Sequence, residues 1–237
     1  MLLLLLIAAA VASPIPETAT QLLVGWSEGW DSSTATLQRY TRSADDWQPE
    51  GPTVPARLGR EGLAWGSGLH EAQEGQQKQE GDWRSPAGVF AIGTALGDVV
   101  LSPAPDWPMS VVTERTLWVE DPGSPLYNQL HIVRDDRPLT AWETSQRMRM
   151  GDAAHRLKLV IQHNTDPPLS GAGSAIFFHI WRRDGTAPTA GCTAMPETEL
   201  EELIRWLRPE AAPVLVLLPT DEHARLQTAW ALPTLPL

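Results

Sequence analysis

Ser174-Ala175-Ile176-Phe177-Phe178-His179-Ile180-Trp181-Arg182-Arg183-Asp184-Gly185-Thr186-Ala187-Pro188-Thr189-Ala190-Gly191-Cys192 begins as a strand and ends as a tight return. Side chains alternate faces along a strand, so Phe177, His179 and Trp181 point one way and Ile176, Phe178 and Ile180 the other. Asp184-Gly185-Thr186 lies midway between His179 and Cys192 and is suited to reversing the chain. A reversal there brings Cys192 back beside His179, although Pro188 rules out a regular ladder on the return arm. A thiol beside an imidazole is what a cysteine nucleophile requires, because the thiolate attacks and the His takes its proton. Gly191 leaves room for a substrate at the Cys192 main chain, and a helix starting just downstream aims amide donors there. Glu197 and Glu199 partly cancel that positive helix end.

Outward from this stretch the chain reads as short strands. Gln21 to Gly25, Ala35 to Arg39, Gly62 to Gly66, Val89 to Gly93, Leu117 to Glu120, Leu157 to Gln162 and Val214 to Leu218 are apolar runs bounded by Gly, Pro or Asp. One helix is clear after Pro196, where Leu200, Leu203, Ile204 and Leu207 form a single apolar stripe. Weaker helical patterns lie at Ala141 to Met150 and Asp221 to Trp230, while Pro49 to Arg60 and Ser102 to Pro108 read as Pro-rich loops. The expectation is a mainly β fold with a few helices.

Eighteen Lys and Arg against 29 Asp and Glu give a net charge of −11, which argues against a nucleic-acid partner. Hydrophobic residues at 42% and charged residues at 20% suit a packed core. Most of the 11 Trp are expected to be core fillers. Leu2 to Ala12 is too short to span a bilayer, which takes roughly 20 residues. It fits a signal peptide, residues 1–12, cleaved after Ala10-Val11-Ala12, although no Lys or Arg precedes the leucines. Residues 13–237 are then one exported domain with no lasting membrane insertion. Cys192 is the sole cysteine, so no internal disulfide can form.

His179, a loop and Thr189-Ala190-Gly191-Cys192 resemble the signature of the L,D-transpeptidase catalytic domain family, the YkuD or ErfK/YbiS group. Lys78-Gln79-Glu80-Gly81-Asp82-Trp83-Arg84-Ser85-Pro86-Ala87-Gly88-Val89-Phe90 is similar to that family's strand entry. The likeness runs from about Gln21 to Pro219 and implies a mixed β sandwich or barrel core with a helix after the nucleophile. It implies acyl transfer on peptidoglycan stem peptides, without a cofactor, by a monomer in the periplasm or cell wall. Cys192 would attack the carbonyl of the L-centre of the third residue, a diamino acid, and release D-Ala. An amine acceptor would then take the acyl group. His179 would be general base and acid, the Ile180 backbone carbonyl would orient it, and the Gly191 backbone would belong to the oxyanion region.

The family's His before Gly-Cys is Ala190 here, its Arg or Asn two after the Cys is Ala194, and the His-to-Cys interval is short. Those losses leave L,D-carboxypeptidase or amidase action, or a non-catalytic wall-binding module, as alternatives. Thr189, Trp181, Tyr127, Asn128, His163 and Asn164 are the candidates to line the cleft in compensation. The His163, His179 and Cys192 spacing matches no metal motif. The pair also predicts a rate that varies with pH between about 5 and 9.

Overall fold

The computed structural model describes residues 12–44 and 46–236. The expected leader therefore lies outside the described residues, except for Ala12. Strands dominate: β1 (Gln21–Ser27), β2 (Thr34–Ser43), β3 (Asp46–Arg57), β4 (Leu63–Trp65), β5 (Ser85–Gly97) and β6 (Met109–Val111) come first. They are followed by β7 (Thr116–Trp118), β8 (Leu130–Ile132), α1 (Ala141–Ser145), β9 (Leu157–Ile161), β10 (Phe177–Ile180) and β11 (Thr193–Met195). The chain ends with α2 (Glu197–Trp206), β12 (Val214–Pro219) and α3 (Thr220–Leu226).

The main sheet runs β12-β1-β2-β3-β11-β10-β9-β5-β4, and β12 also pairs with β5. That extra pairing closes the sheet into a barrel, which removes most free edges. β1 and β12 lie parallel and are buried along their whole length, which accounts for their unbroken apolar runs. β5 serves two partners because a register shift between Ile92 and Ala95 bends it from β12 toward β9.

The Pro49 to Arg60 segment, expected to be a loop, forms most of β3. Its far side meets β11 only at Ala194 opposite Arg57, so Pro49, Pro52 and Pro55 sit where a ladder donor is not needed on both sides. α2 begins after Pro196 as expected and buries Leu200, Leu203 and Ile204. The two weaker helical patterns survive as the short α1 and α3. Among the described residues no helix is long and apolar enough to cross a membrane.

Two apolar clusters form on opposite faces of β9 and β10. Ile176, Phe178, Ile180, Leu159 and Ile161 join the large barrel core. Phe177, Val160 and Leu96 form a smaller cluster with Val112, Trp118 and Met148 from the segment between β6 and β9. That segment, carrying the β7-β8 hairpin and α1, covers the outer face of the sheet. Trp26, Trp65, Trp107, Trp118 and Trp230 are buried, whereas Trp83 and Trp142 are exposed.

Candidate active site

β10 and β11 pair in parallel, with Phe178 opposite Thr193, His179 opposite Ala194 and Ile180 opposite Met195. The connection therefore does not fold straight back to set Cys192 beside His179. It passes through a turn at Arg183–Gly185, where Arg183, Asp184 and Gly185 all take positive φ, and re-enters alongside the start of β10. Extended by one residue, the register sets Cys192 level with Phe177, on the face that carries His179. β10 pairs antiparallel with β9 on its other side, His179 opposite Lys158 and Phe177 opposite Val160. One face thus presents two rows: Lys158, His179 and Ala194, then Val160, Phe177 and Cys192.

The Cys192 backbone is clamped. Its carbonyl accepts from Ser85 Oγ at 2.8 Å and from Thr189 Oγ1 at 2.7 Å. Ser85 Oγ also accepts from the Gly59 amide at 2.9 Å. Gly191 takes φ 145°, and a Cβ there would stand 3.0 Å from the Arg84 carbonyl oxygen, which accounts for glycine at this position. The Gly191 amide donates to Thr189 Oγ1 at 3.0 Å and is already occupied by the turn. The Cys192 thiol, half-buried, donates to the Ala175 carbonyl oxygen at 3.4 Å.

Cys192 lines a cavity of about 320 Å³ together with Lys78, Glu80, Glu120, His155, Lys158 and Phe177. Lys78 is neutralised by Asp82, its Nζ standing 2.5 Å from Oδ1. Glu80 Oε2 accepts from the Tyr127 hydroxyl at 2.5 Å and from Ser174 Oγ at 2.7 Å. His155 Nδ1 bonds Asp152 Oδ1 at 2.7 Å, and Asp152 Oδ2 is held by Arg182 at 2.7 Å. The His155 ring lies against His179, centroids 4.9 Å apart at 34°. Lys158 is fully buried and gives Nζ to the Met148 carbonyl at 2.7 Å.

His179 Nδ1 bonds the Ile180 carbonyl oxygen at 2.8 Å, which makes Nδ1 the protonated nitrogen and leaves Nε2 to accept. Burial pushes the His179 imidazole down to about 4. The Ile180 bond offsets this in part, and the charges of His155, Arg182 and Lys158 add to it. Burial pushes the Cys192 thiol up to about 11, partly relieved by the Phe177 amide, raised further by Glu120 and lowered by Lys158 and Lys78. The resting pair is a neutral thiol and a neutral imidazole.

The proposed cleft residues scatter. β10 ends at Ile180, so Trp181 leaves the alternation, packs over Gly185 and lines a separate depression with Trp26 and Thr220. His163 is buried, accepting from the Ser67 amide at 3.1 Å and bonding the Ala172 carbonyl oxygen at 2.9 Å. Asn164 donates to the Leu169 and Gly173 carbonyls. Asn128 joins these loops to the site by donating to the carbonyls of His163 and Asn164 and accepting from Trp118 Nε1 and the Ala175 amide. Tyr127 reaches the cavity only through Glu80, and Thr189 acts on the Cys192 main chain. Of the six, none lines the cavity itself. Lys158 and His155 do so without having been singled out. Lys158 falls in an apolar strand, Leu157 to Ile161, where a lone Lys is a detectable anomaly. Among the described residues no three His, Cys, Asp or Glu side chains gather in a way that could hold a metal ion.

The family model described as the L,D-transpeptidase catalytic domain, YkuD, matches residues 38–216. Comparisons with curated proteins and with solved structures find no match.

Proposed function

Because the chain belongs to the L,D-transpeptidase catalytic domain family, we propose that it is a cysteine acyltransferase acting on peptidoglycan stem peptides. The observation that carries this reading is Cys192 on a cavity wall, one strand from His179 on the same sheet face, with His179 Nδ1 fixed by a backbone carbonyl. In the first step His179 Nε2 takes the Sγ proton as sulfur bonds to the carbonyl carbon of the L-centre of the third residue. The thiol must first turn from the Ala175 carbonyl toward the imidazole, which is a change of side-chain rotamer. The tetrahedral intermediate then collapses. Its C–N bond breaks, the His179 proton passes to the departing D-Ala amine, and a thioester remains on Cys192. With the Gly191 amide occupied, the Cys192 amide is the donor left at that turn for the oxyanion. An incoming amine loses its proton to His179, attacks the thioester and restores the thiol.

Glu80 and Glu120 on the wall offer acceptors for the ammonium of a diamino acid. Export to the periplasm or cell wall rests on the apolar start of the sequence. The protein works there as a monomer on residues 13–237. Incubation with purified disaccharide-tetrapeptide followed by mass spectrometry tests the reading. A cross-linked dimer is the expected product. Loss of D-Ala alone assigns L,D-carboxypeptidase action instead, and other cleavage products an amidase. Binding without turnover, unchanged in Cys192→Ala, reduces the protein to a wall-binding module.

A further inference from the structure

Resting on the acyl-transfer reading above, we infer that Lys158 is the anchor for the free C-terminal carboxylate of the leaving residue, and that the enzyme therefore selects stem peptides ending in a free acid. Two buried lysines line the cavity. Lys78 already holds Asp82 at 2.5 Å, whereas Lys158 has one neutral partner, the Met148 carbonyl oxygen, and among the described residues no carboxylate lies within 4.0 Å of it. An ammonium carries three donors, so two remain for an occupant of the cavity. A buried charge without a counter-ion is costly, and an anionic ligand that supplies one gains a charge-assisted bond in a dry site.

Position gives the ligand its identity. Lys158 stands on β9 and Cys192 just before β11, with only β10 between them and an offset of two residues along the strands, so their backbones are about 12 Å apart at ~4.8 Å per strand and ~3.3 Å per residue. The lysine side chain with its hydrogen bond on one side, and the Cys192 side chain with a single residue of about 3.5 Å extending from the attacked carbonyl on the other, span that gap. The carboxylate of a one-residue leaving group is the anion at that distance. His179 stands opposite Lys158 on β10, the strand between the two. At the far end of the row Ala194 offers no competing polar group.

The test compares disaccharide-tetrapeptide with its C-terminal carboxamide, using the full chain, Lys158→Met and Lys158→Arg. The wild type should prefer the acid by about 100-fold in kcat/KM, since a site built for a group rejects the analogue lacking it. Lys158→Met should lose on the acid about that factor beyond any loss it shows on the amide, with Lys158→Arg recovering part of the preference. An equal loss on both substrates would mean that Lys158 only polarises the thiol, and overturns the inference, as does a wild type without preference. If neither substrate turns over, the acyl-transfer reading fails while this inference is still decided by calorimetry on Cys192→Ala. Tighter binding of acid than amide, erased by adding Lys158→Met, supports it, and equal binding overturns it.

Discussion

The resting state of Cys192 can be tested without a substrate. With the thiol pushed up to about 11, about one molecule in ten thousand carries a thiolate at pH 7, against roughly 3% for an ordinary cysteine near 8.5. That is about a 300-fold deficit in the reactive form. A more basic thiolate is a better nucleophile by roughly 10- to 20-fold over this interval, so alkylation should run about 15- to 30-fold slower than in a model peptide. His179 is pushed down to about 4, so burial disfavours the charged form of both groups and the resting pair is neutral. Iodoacetamide labelling followed by intact mass reads the rate cleanly, because Cys192 is the only cysteine. The rate should climb about tenfold per pH unit from pH 7 to 10 without a plateau, and should be lower still in Lys158→Met, which removes a cation that stabilises the thiolate. A plateau below pH 8 would refute the neutral resting pair and establish a preformed ion pair.

Gly88→Ala should cost at least about 3 kcal/mol in urea unfolding, because φ is 138° and the new Cβ would fall 1.6 Å from His70 Nε2; a loss under 1 kcal/mol would show that His70 can move aside. His163 and His179 are both depressed to about 4 by burial, so the stability they carry is complete above an unfolded value near 6.5 and is lost as pH falls toward 4. Unfolding free energy should therefore drop by about 2 to 3 kcal/mol for each between pH 7 and 4.5, and a flat curve over that window contradicts their burial as neutral rings. Ser85→Ala removes one of two clamps on the Cys192 carbonyl and the acceptor of the Gly59 amide. It should lower kcat/KM on tetrapeptide by about 10- to 100-fold in a folded protein, and unchanged kinetics would mean that Thr189 suffices alone. Phe178→Ala, on the barrel side of β10, should destabilise by about 3 to 5 kcal/mol; a thermal midpoint within 2 °C of the wild type would place that side chain outside the core.

Much of the strand pattern was legible because strands buried on both faces leave continuous apolar runs, as in Val214 to Leu218. β3 was hidden by its prolines, whose tolerance depends on β11 meeting only one end of it, a fact of topology and not of local composition. The alternation of Phe177 and His179 against Ile176 and Phe178 was readable from the period alone, yet the parallel return of β11 was not. A loop of this length can close as a hairpin or swing round to the start of the strand, and only the barrel chooses between them. The cavity lining was the least legible part. It is assembled from the loop before β5, β9, β10, the turn before β11 and the segment covering them, and distant segments carry no shared local signal. Asn128, His163 and Asn164 drew attention as polar residues in apolar surroundings, but their hydrogen bonds show them satisfying loop carbonyls behind the site.

The two faces of β10 separate stability from chemistry. Phe178 and Ile180 lock into a core shared with β1, β5, β12 and α2, so their backbone is held by packing away from the cavity, and Ile176 joins the same core while also reaching the cavity. On the opposite face Phe177 and Cys192 meet only the small cluster under the covering segment, with Lys158 and His179 beside it. A buried lysine, two depressed histidines and a raised thiol are each costly to hold. A sheet anchored from behind can carry that cost without the site having to pack well on its own. The same arrangement explains why Ala190 and Ala194 need not imply a dead site. Polar groups lost from the strand of the nucleophile leave the face intact, and His155 and Lys158 bring charge and imidazole to the same cavity from a neighbouring segment.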